Sequence, residues 1–241
     1  MKRFGIITIF IIIMLFTSCA KKESKLSEIS EERIISDIKE NDKLNYKNPG
    51  EYEVYITDDG EEFIEDEKIS VVTKVVNMNY SFEDGIFNRE SGYLIPMEFV
   101  YVKNGDDYEL KEIIQAKDGE EYFDSVLEMA RGDKDLANRI SNVVINTSVN
   151  DKLMNELKEV CEKEGLKNFT HKLKKIPGYE SDVIYIRDEN GLRDGVVEVA
   201  KKDDYEGAKA QVGKENWPNC DGVEYHEETG IAVKTIIDNF K

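Results

Sequence analysis

The stretch GYLIPMEFVYVKNGDDYELKEII, residues 92–114, indicates a β-hairpin in the first half of the chain. It is rich in β-branched and aromatic residues, as strands are, and Asn104-Gly105 favours a tight turn near its middle. Residues 69–82 have the same composition and end at the turn-forming Glu83-Asp84-Gly85. Together these segments predict neighbouring antiparallel strands.

An earlier strand is indicated by Tyr52, Val54 and Ile56, which alternate with polar neighbours. Asp58-Asp59-Gly60 follows it and predicts a turn, because Gly accepts a positive φ and Asp bonds its own backbone. Before the sheet, the apolar spacing within residues 27–40 predicts an amphipathic helix.

Three further helices are predicted after the sheet, with Asp118, Asp133 and Asn150 as their N-caps. Residues 183–187 and 195–200 have the composition of two short strands. The apolar residues near the end of the chain have helical spacing, so we expect a C-terminal helix. These residues are Val233, Ile236, Ile237 and Phe240. The fold class predicted is α+β, a helix on a curled antiparallel sheet over 27–118, followed by a helical and mixed C-terminal region over 119–241.

The N-terminus has the organisation of an export signal. Lys2 and Arg3 precede an almost wholly apolar run, residues 4–16, which is too short for a typical transmembrane helix. Thr17-Ser18-Cys19 closes the run and resembles the lipobox of bacterial lipoproteins, which implies a signal peptide over 1–18 and an acylated Cys19. Residues 19–26 are then a polar tether. The alternatives are cleavage without lipidation and an uncleaved anchor.

The charge balance disfavours some classes of partner. Removal of residues 1–18 takes away Lys2 and Arg3 and no acid, which leaves 31 basic and 51 acidic residues. Such a surface offers no basic stripe for nucleic acid and is repelled by anionic lipid headgroups. It is compatible with cations or cationic peptides, although acidic surfaces often serve only solubility.

The order of the strand-rich segments resembles an extracytoplasmic α+β domain of low-GC Gram-positive lipoproteins and of antibiotic-sensor-type membrane metallopeptidases. The segments that carry the resemblance are VVNMNY (75–80), SGYLIPMEFVYV (91–102) and QAKDG (115–119), and it covers residues 27–145. It implies a cystatin-like or nuclear-transport-factor-like fold. The family has no catalytic residues to carry over, and the zinc motif of the metallopeptidases is absent from this sequence.

Aromatic residues are the candidate ligand contacts. A curled sheet under a helix forms a cone whose mouth can hold a ligand, although such side chains are more often core. The candidates lie on adjoining predicted strands: Tyr80, Phe82, Tyr93, Phe99, Tyr101 and Tyr108.

Metal and disulfide chemistry have weaker signals. Cys220, Asp221, Glu224 and His226 are close in sequence, but we interpret them as a solvated acidic loop, and we expect no metal and no cofactor.

Cys161 and Cys220 remain once Cys19 is assigned to lipid. A bridge between them is allowed outside the cytoplasm, and free thiols are slightly favoured because Cys161 lies on an apolar helix face.

The leading functional hypothesis is a lipoprotein on the outer face of the cytoplasmic membrane that acts as a non-enzymatic binding or accessory module. It is anchored through Cys19 and has a protein partner in the envelope. The alternatives are an envelope-acting hydrolase and a carrier of small solutes or cations. The sequence contains no H-E-x-x-H, G-x-S-x-G or Walker pattern that would favour an enzyme.

Overall fold

The computed structural model describes residues 28–45, 51–142, 144–166, 173–187, 195–214, 217–238 and 240. Within these ranges the strands are β1 (Tyr52–Glu65), β2 (Lys68–Glu83), β3 (Ile86–Asn104), β4 (Asp107–Gln115), β5 (Val183–Arg187), β6 (Val196–Lys201), β7 (Cys220–His226) and β8 (Ala232–Ile237). The α-helices are α1 (Glu31–Asn45), α2 (Tyr122–Met129), α3 (Lys134–Ser141), α4 (Thr147–Glu164) and α5 (Lys202–Lys209).

All eight of these strands belong to one mixed sheet in the order β1-β2-β3-β8-β7-β6-β5, with β4 paired to β3. The 19-residue strand β3 makes this possible, because its two halves have different neighbours on one edge. Its C-terminal half pairs with β4, and its N-terminal half meets β8 in the parallel pair Phe87–Val233. The C-terminal strands therefore extend the sheet built by the first half of the chain.

Turn chemistry fixes the registers of the first strands. Glu83 pairs with Ile86, so Asp84-Gly85 forms a two-residue loop, and both of its residues have positive φ, 53° and 86°. Two successive positive φ values match the right-handed twist of a hairpin. The predicted turn at Gly105 is also present, at φ 68° between the paired residues Asn104 and Asp107.

Helices cover both faces of the first three strands. On one face, Ile34 and Ile38 of α1 pack against Val75 and its neighbours. On the other face, Leu153 of α4 packs against Val76. The pair α2–α3 forms a separate cluster with Val72 on that second face. Because side chains alternate across a strand, Val75 and Val76 supply opposite layers.

The predicted fold class is wrong. The chain forms a large mixed sheet with five described helices, and not a helix on a curled antiparallel sheet followed by helices. The expected terminal helix is strand β8, where Val233 pairs with Glu224 and Ile237 with Cys220. The five-residue run V-K-T-I-I, rich in β-branched residues, fits both the helical and the strand periodicity, and pairing with β7 decides between them.

Helix starts were predicted with mixed success. Asp133 caps α3 as expected, accepting from the backbone N–H groups of Asp135 and Leu136. The next helix begins earlier than predicted, since Asn146 caps α4 and Asn150 is buried inside it. Gly165 ends α4 in the left-handed conformation, φ 63°.

Candidate functional site

An irregularity in the edge strand β1 creates the most distinctive surface of the described structure. Asp58 pairs with Lys74 and Glu61 with Val72, so Asp59 and Gly60 together oppose the single residue between those partners. Asp59 has φ 52°, and the predicted turn at residues 58–60 is therefore a β-bulge inside a longer strand. Bulges redirect side chains and are frequent beside functional sites.

A buried ion cluster holds the bulge in place. Lys74 is 1% exposed in the middle of β2, and its Nζ lies 3.1 Å from Asp58 Oδ2. The same ammonium donates to the carbonyl oxygen of Asn142 over 3.3 Å. Lys152 of α4 lies 3.3 Å from the other oxygen of Asp58 and donates to the Thr57 carbonyl over 2.7 Å. Buried charges persist only when paired in this way, so the cluster fixes the strand to α4.

The start of α1 is hydrogen-bonded to β1 around the bulge. Glu31 accepts from both the backbone N–H and the hydroxyl of Thr57, over 3.2 and 2.8 Å. Glu62 accepts from the backbone N–H of Ile29 over 3.1 Å. These bonds join the start of α1 and the residues just before it to β1 on both sides of the bulge. Hydrogen bonds therefore set the opening between α1 and β1.

The result is a cleft of about 720 Å³. One wall is apolar, and it includes Ile64, which is 48% exposed although it is a large hydrophobic residue. The rest of the lining carries five carboxylates against two cations: Glu31, Asp58, Asp59, Glu61 and Glu62, with Arg139 and Lys152. The lining therefore combines negative charge with hydrophobic surface.

Two of these carboxylates have weak internal partners. Asp59 Oδ2 lies 3.7 Å from Lys74 Nζ, and Glu61 Oε2 lies 4.0 Å from a nitrogen of Arg139. Both contacts are long, and the Asp59 and Glu61 side chains are 39% and 49% exposed, so these contacts contribute little stability. Asp59 and Glu61 are therefore the lining residues best placed to contact a ligand.

A histidine cluster elsewhere superficially resembles a catalytic relay. His226 Nε2 lies 3.2 Å from Asp151 Oδ1, and its Nδ1 lies 2.8 Å from Thr229 Oγ1. Nδ1 also accepts the backbone N–H of Thr229, so the threonine hydroxyl donates to the ring. Thr229 is 1% exposed, and its oxygen accepts from Ile231 N–H within the β7–β8 turn. The cluster therefore shapes a turn and is closed to a substrate.

A second, smaller cleft surrounds the Glu98–Arg131 pair. Arg131 donates two hydrogen bonds to Glu98, over 2.6 and 3.2 Å, and its guanidinium lies 4.9 Å from the Phe63 ring centroid. Burial, the largest single influence, acts to raise the pKa of Glu98, but bonds from Arg131 and Ser70 outweigh it and hold that pKa below its ordinary value. The two hydrogen bonds between Arg131 and Glu98 join the end of α2 to the sheet.

The aromatic residues predicted to line a ligand cavity lie on opposite faces of the sheet. Tyr80 and Phe82 pack around Phe87 on the α4 face, with ring centroids 5.8 and 4.8 Å from it. The other four belong to the cluster under α1: Tyr93, Phe99, Tyr101 and Tyr108. The structure thus divides the six between two cores, and the lining of the β1 cleft comes from other residues.

Several further predictions concern single residues. Cys19 lies outside the described residues. Cys161 and Cys220 are buried free thiols in separate clusters, as slightly favoured from the sequence. In the part of the chain that the structure describes, no three His, Cys, Asp or Glu side chains group as metal ligands, and no helix is long and apolar enough to span a bilayer.

Sequence reasoning missed the β1 cleft, although one signal was present. Lys74 interrupts the apolar run of residues 69–76, and a lysine on a buried strand requires a nearby buried carboxylate. The acids at 58 and 59 were interpreted as turn residues. Phe63 and Ile64, which follow the glycine, are residue types that favour strands, so they are compatible with a strand that continues past a bulge.

Comparisons with known proteins found no relative: no protein-family model, no curated protein and no solved structure matches the chain. The resemblance over residues 27–145 stays a prediction.

Proposed function

We propose that this chain is a lipid-anchored extracytoplasmic protein that acts as a non-enzymatic binding or accessory module, with the β1 cleft as its ligand site. The cleft is the observation that carries the proposal. Its framework carboxylates, Asp58, Glu31 and Glu62, are held by internal bonds, whereas Asp59 and Glu61 face outward with weak partners. A preformed opening of this kind suits binding, because little ordering is needed when a ligand enters.

The lining selects the chemistry of the ligand. Its excess of carboxylates attracts positive charge, and the exposed side chain of Ile64 offers apolar contact. A protein segment that carries Lys or Arg beside an apolar residue meets both requirements. A small polyvalent cation meets only the first, which distinguishes the accessory role from a carrier of cations.

The location is supported by the N-terminal sequence. A basic start, a short apolar run and Thr17-Ser18-Cys19 are typical of a lipoprotein signal, and more than one acyl chain on Cys19 would anchor stably. Glu28 follows Cys19 by nine residues, a span of at most about 30 Å when fully extended. Because Ile29 lines the cleft, the ligand site would stay close to the membrane surface.

The anchor is tested with Cys19→Ala. We expect this variant to lose acyl labelling and to accumulate as unprocessed precursor. Normal labelling of the variant would contradict the lipoprotein assignment.

The ligand site is tested by crosslinked capture from the membranes of the source cell. Asp59→Asn/Glu61→Gln should lose a partner that the wild-type protein captures. The matched control, Glu120→Gln/Asp124→Asn, removes the same charge from exposed residues outside the lining of the β1 cleft and should retain that partner. Equal capture by the wild-type protein and the cleft variant would contradict the assignment of the cleft, and hydrolysis of envelope material by the purified protein would favour the enzyme alternative.

A further inference from the structure

Trp217, the only tryptophan of the chain, is 85% exposed. Tryptophan is a highly buried residue on average, since it carries a large apolar surface. Its backbone has φ 68°, a left-handed conformation that is strained for a residue other than glycine. A bulky side chain that is both exposed and conformationally strained is a reason to look for a partner.

A cleft of about 480 Å³ begins at the next residue, Pro218. Its other walls come from β7 and from one face of α5. Asp203, Asp204 and Asp221 supply three carboxylates, and the described lining includes no cation. A Cβ built on Gly207, on the helical wall, has no atom within 4 Å, so that wall is open.

Two lysines of this region have other contacts. Lys209 Nζ lies 5.8 Å from the Tyr205 ring centroid, and Lys214 Nζ donates to the Ala210 carbonyl over 2.7 Å. The negative field of the cleft also acts on Cys220 in its wall, where burial first, and then Asp204 and Asp221, raise the pKa of the thiol. The cleft is therefore negative, and the exposed Trp217 directly precedes its lining residue Pro218 in the chain.

We propose that Trp217 and the α5 cleft, formed by Asp203, Asp204, Gly207 and Asp221, are a docking surface for an arginine-bearing segment of a partner protein. A guanidinium ion stacks on an indole face through cation–π attraction and forms forked bonds to carboxylates, so it matches both components. Lysine matches only the charge.

A membrane surface is the competing occupant, because tryptophan also favours the lipid–water interface. Two observations favour the protein. The three carboxylates of the cleft that begins at Pro218, the residue after Trp217, repel anionic headgroups. Trp217 also precedes β7, which the strand order separates from β1 and the N-terminal end of α1 by three intervening strands.

Because Trp217 is the only tryptophan, its emission reports directly on this surface. The full-length protein in a nonionic detergent is titrated with blocked tetra-arginine, tetra-lysine and tetra-citrulline peptides. We expect saturable quenching by tetra-arginine, weaker quenching by tetra-lysine and none by tetra-citrulline. Equal responses to the arginine and lysine peptides, or no response to either, would overturn the proposal.

Charge variants locate the binding. Asp203→Asn/Asp221→Asn should weaken tetra-arginine binding roughly tenfold, as expected for the loss of two partly exposed ion pairs. Glu120→Gln/Asp124→Asn removes equal charge from exposed residues outside the linings of both clefts and should change it less than about twofold. Equal weakening by both variants would show attraction by net charge alone and would overturn the proposal.

The membrane alternative is tested with the same signal. Transfer of the protein from detergent into vesicles of phosphatidylcholine and phosphatidylglycerol should leave Trp217 accessible to iodide. A blue-shifted emission that is protected from iodide would place the indole in lipid and overturn the proposal.

Discussion

Tyr93 donates its phenolic hydrogen to Asp42 Oδ2 over 2.6 Å, and Tyr55, two strands away, donates to the same oxygen over 3.0 Å. Asn77 of β2 lies between the two tyrosines in the register. One buried carboxylate of α1 thus binds the helix to both outer strands of the three-stranded unit. The contact places Tyr93, predicted to line a ligand cavity, in the interface between helix and sheet.

The Tyr93–Asp42 bond predicts a stability effect. Tyr93→Phe removes a hydrogen bond to a buried charge and should lower the free energy of unfolding by about 1.5–3 kcal/mol. Urea denaturation measures the change. With Asp42 already replaced by Asn, the same substitution should cost less, since the acceptor is then neutral. An unchanged midpoint for Tyr93→Phe would contradict this reading of the interface.

Lys74 and Asp58 should behave as a buried ion pair. Lys74→Met leaves Asp58 without its nearest cation and should destabilise the fold by about 3 kcal/mol. Adding Asp58→Asn to Lys74→Met should recover part of that loss, because no unpaired charge is then buried. A double variant as unstable as the sum of the two single variants would show that the residues act independently.

The Glu98–Arg131 pair predicts a pH dependence. Since the folded-state pKa of Glu98 is lowered, the pair stabilises the fold above the unfolded-state pKa, about 4.3, and this contribution is lost as pH falls through the folded-state value. In Arg131→Gln, burial acts on Glu98 without its cation and raises its pKa. The difference in the free energy of unfolding between the wild-type protein and Arg131→Gln should therefore grow as pH rises from about 4 to 7. We expect it to reach roughly 2 kcal/mol, which is less than for a fully buried pair because Arg131 is one-third exposed. Urea titrations across this range give the result, and a constant difference would contradict it.

The thiols should be unreactive in the native protein. Burial, with a smaller effect of Glu162, raises the pKa of Cys161 to about 11, so very little reactive thiolate exists at pH 8. We expect slow alkylation in the native state and rapid addition of two labels, at Cys161 and Cys220, after unfolding without reductant. Mass spectrometry measures the labels, and their absence from both residues would indicate a disulfide.

The sequence predicted those parts of the fold that depend on local chemistry. Asp84-Gly85 and Gly105 form their turns wherever the strands lie, and Asp133 caps α3 through its own neighbours. The position of β8 depends on a distant partner, since Val233 meets Phe87 across 145 intervening residues of sequence. No local pattern contains that pairing, which explains why the mixed sheet was not predicted.

The candidate site could not be predicted from the sequence for a similar reason. The acids at 58 and 59 and Lys74 were each visible in the sequence, but only the register of β1 on β2 brings Asp58 beside Lys74. Lys152 then reaches the same carboxylate from α4, far along the chain. A buried cluster assembled from three elements has no spacing that a linear motif could reveal.

Site-specific photo-crosslinking in intact membranes shows whether the β1 cleft binds a partner. A photoreactive residue replaces Ile64 in the wall of the β1 cleft or, as a control of similar exposure, Tyr185 on the opposite edge strand β5. We expect a discrete crosslinked partner from position 64 that is lost with Asp59→Asn/Glu61→Gln and is absent from position 185. The same partner from both positions, or none from position 64, would contradict the assignment of the β1 cleft as the ligand site.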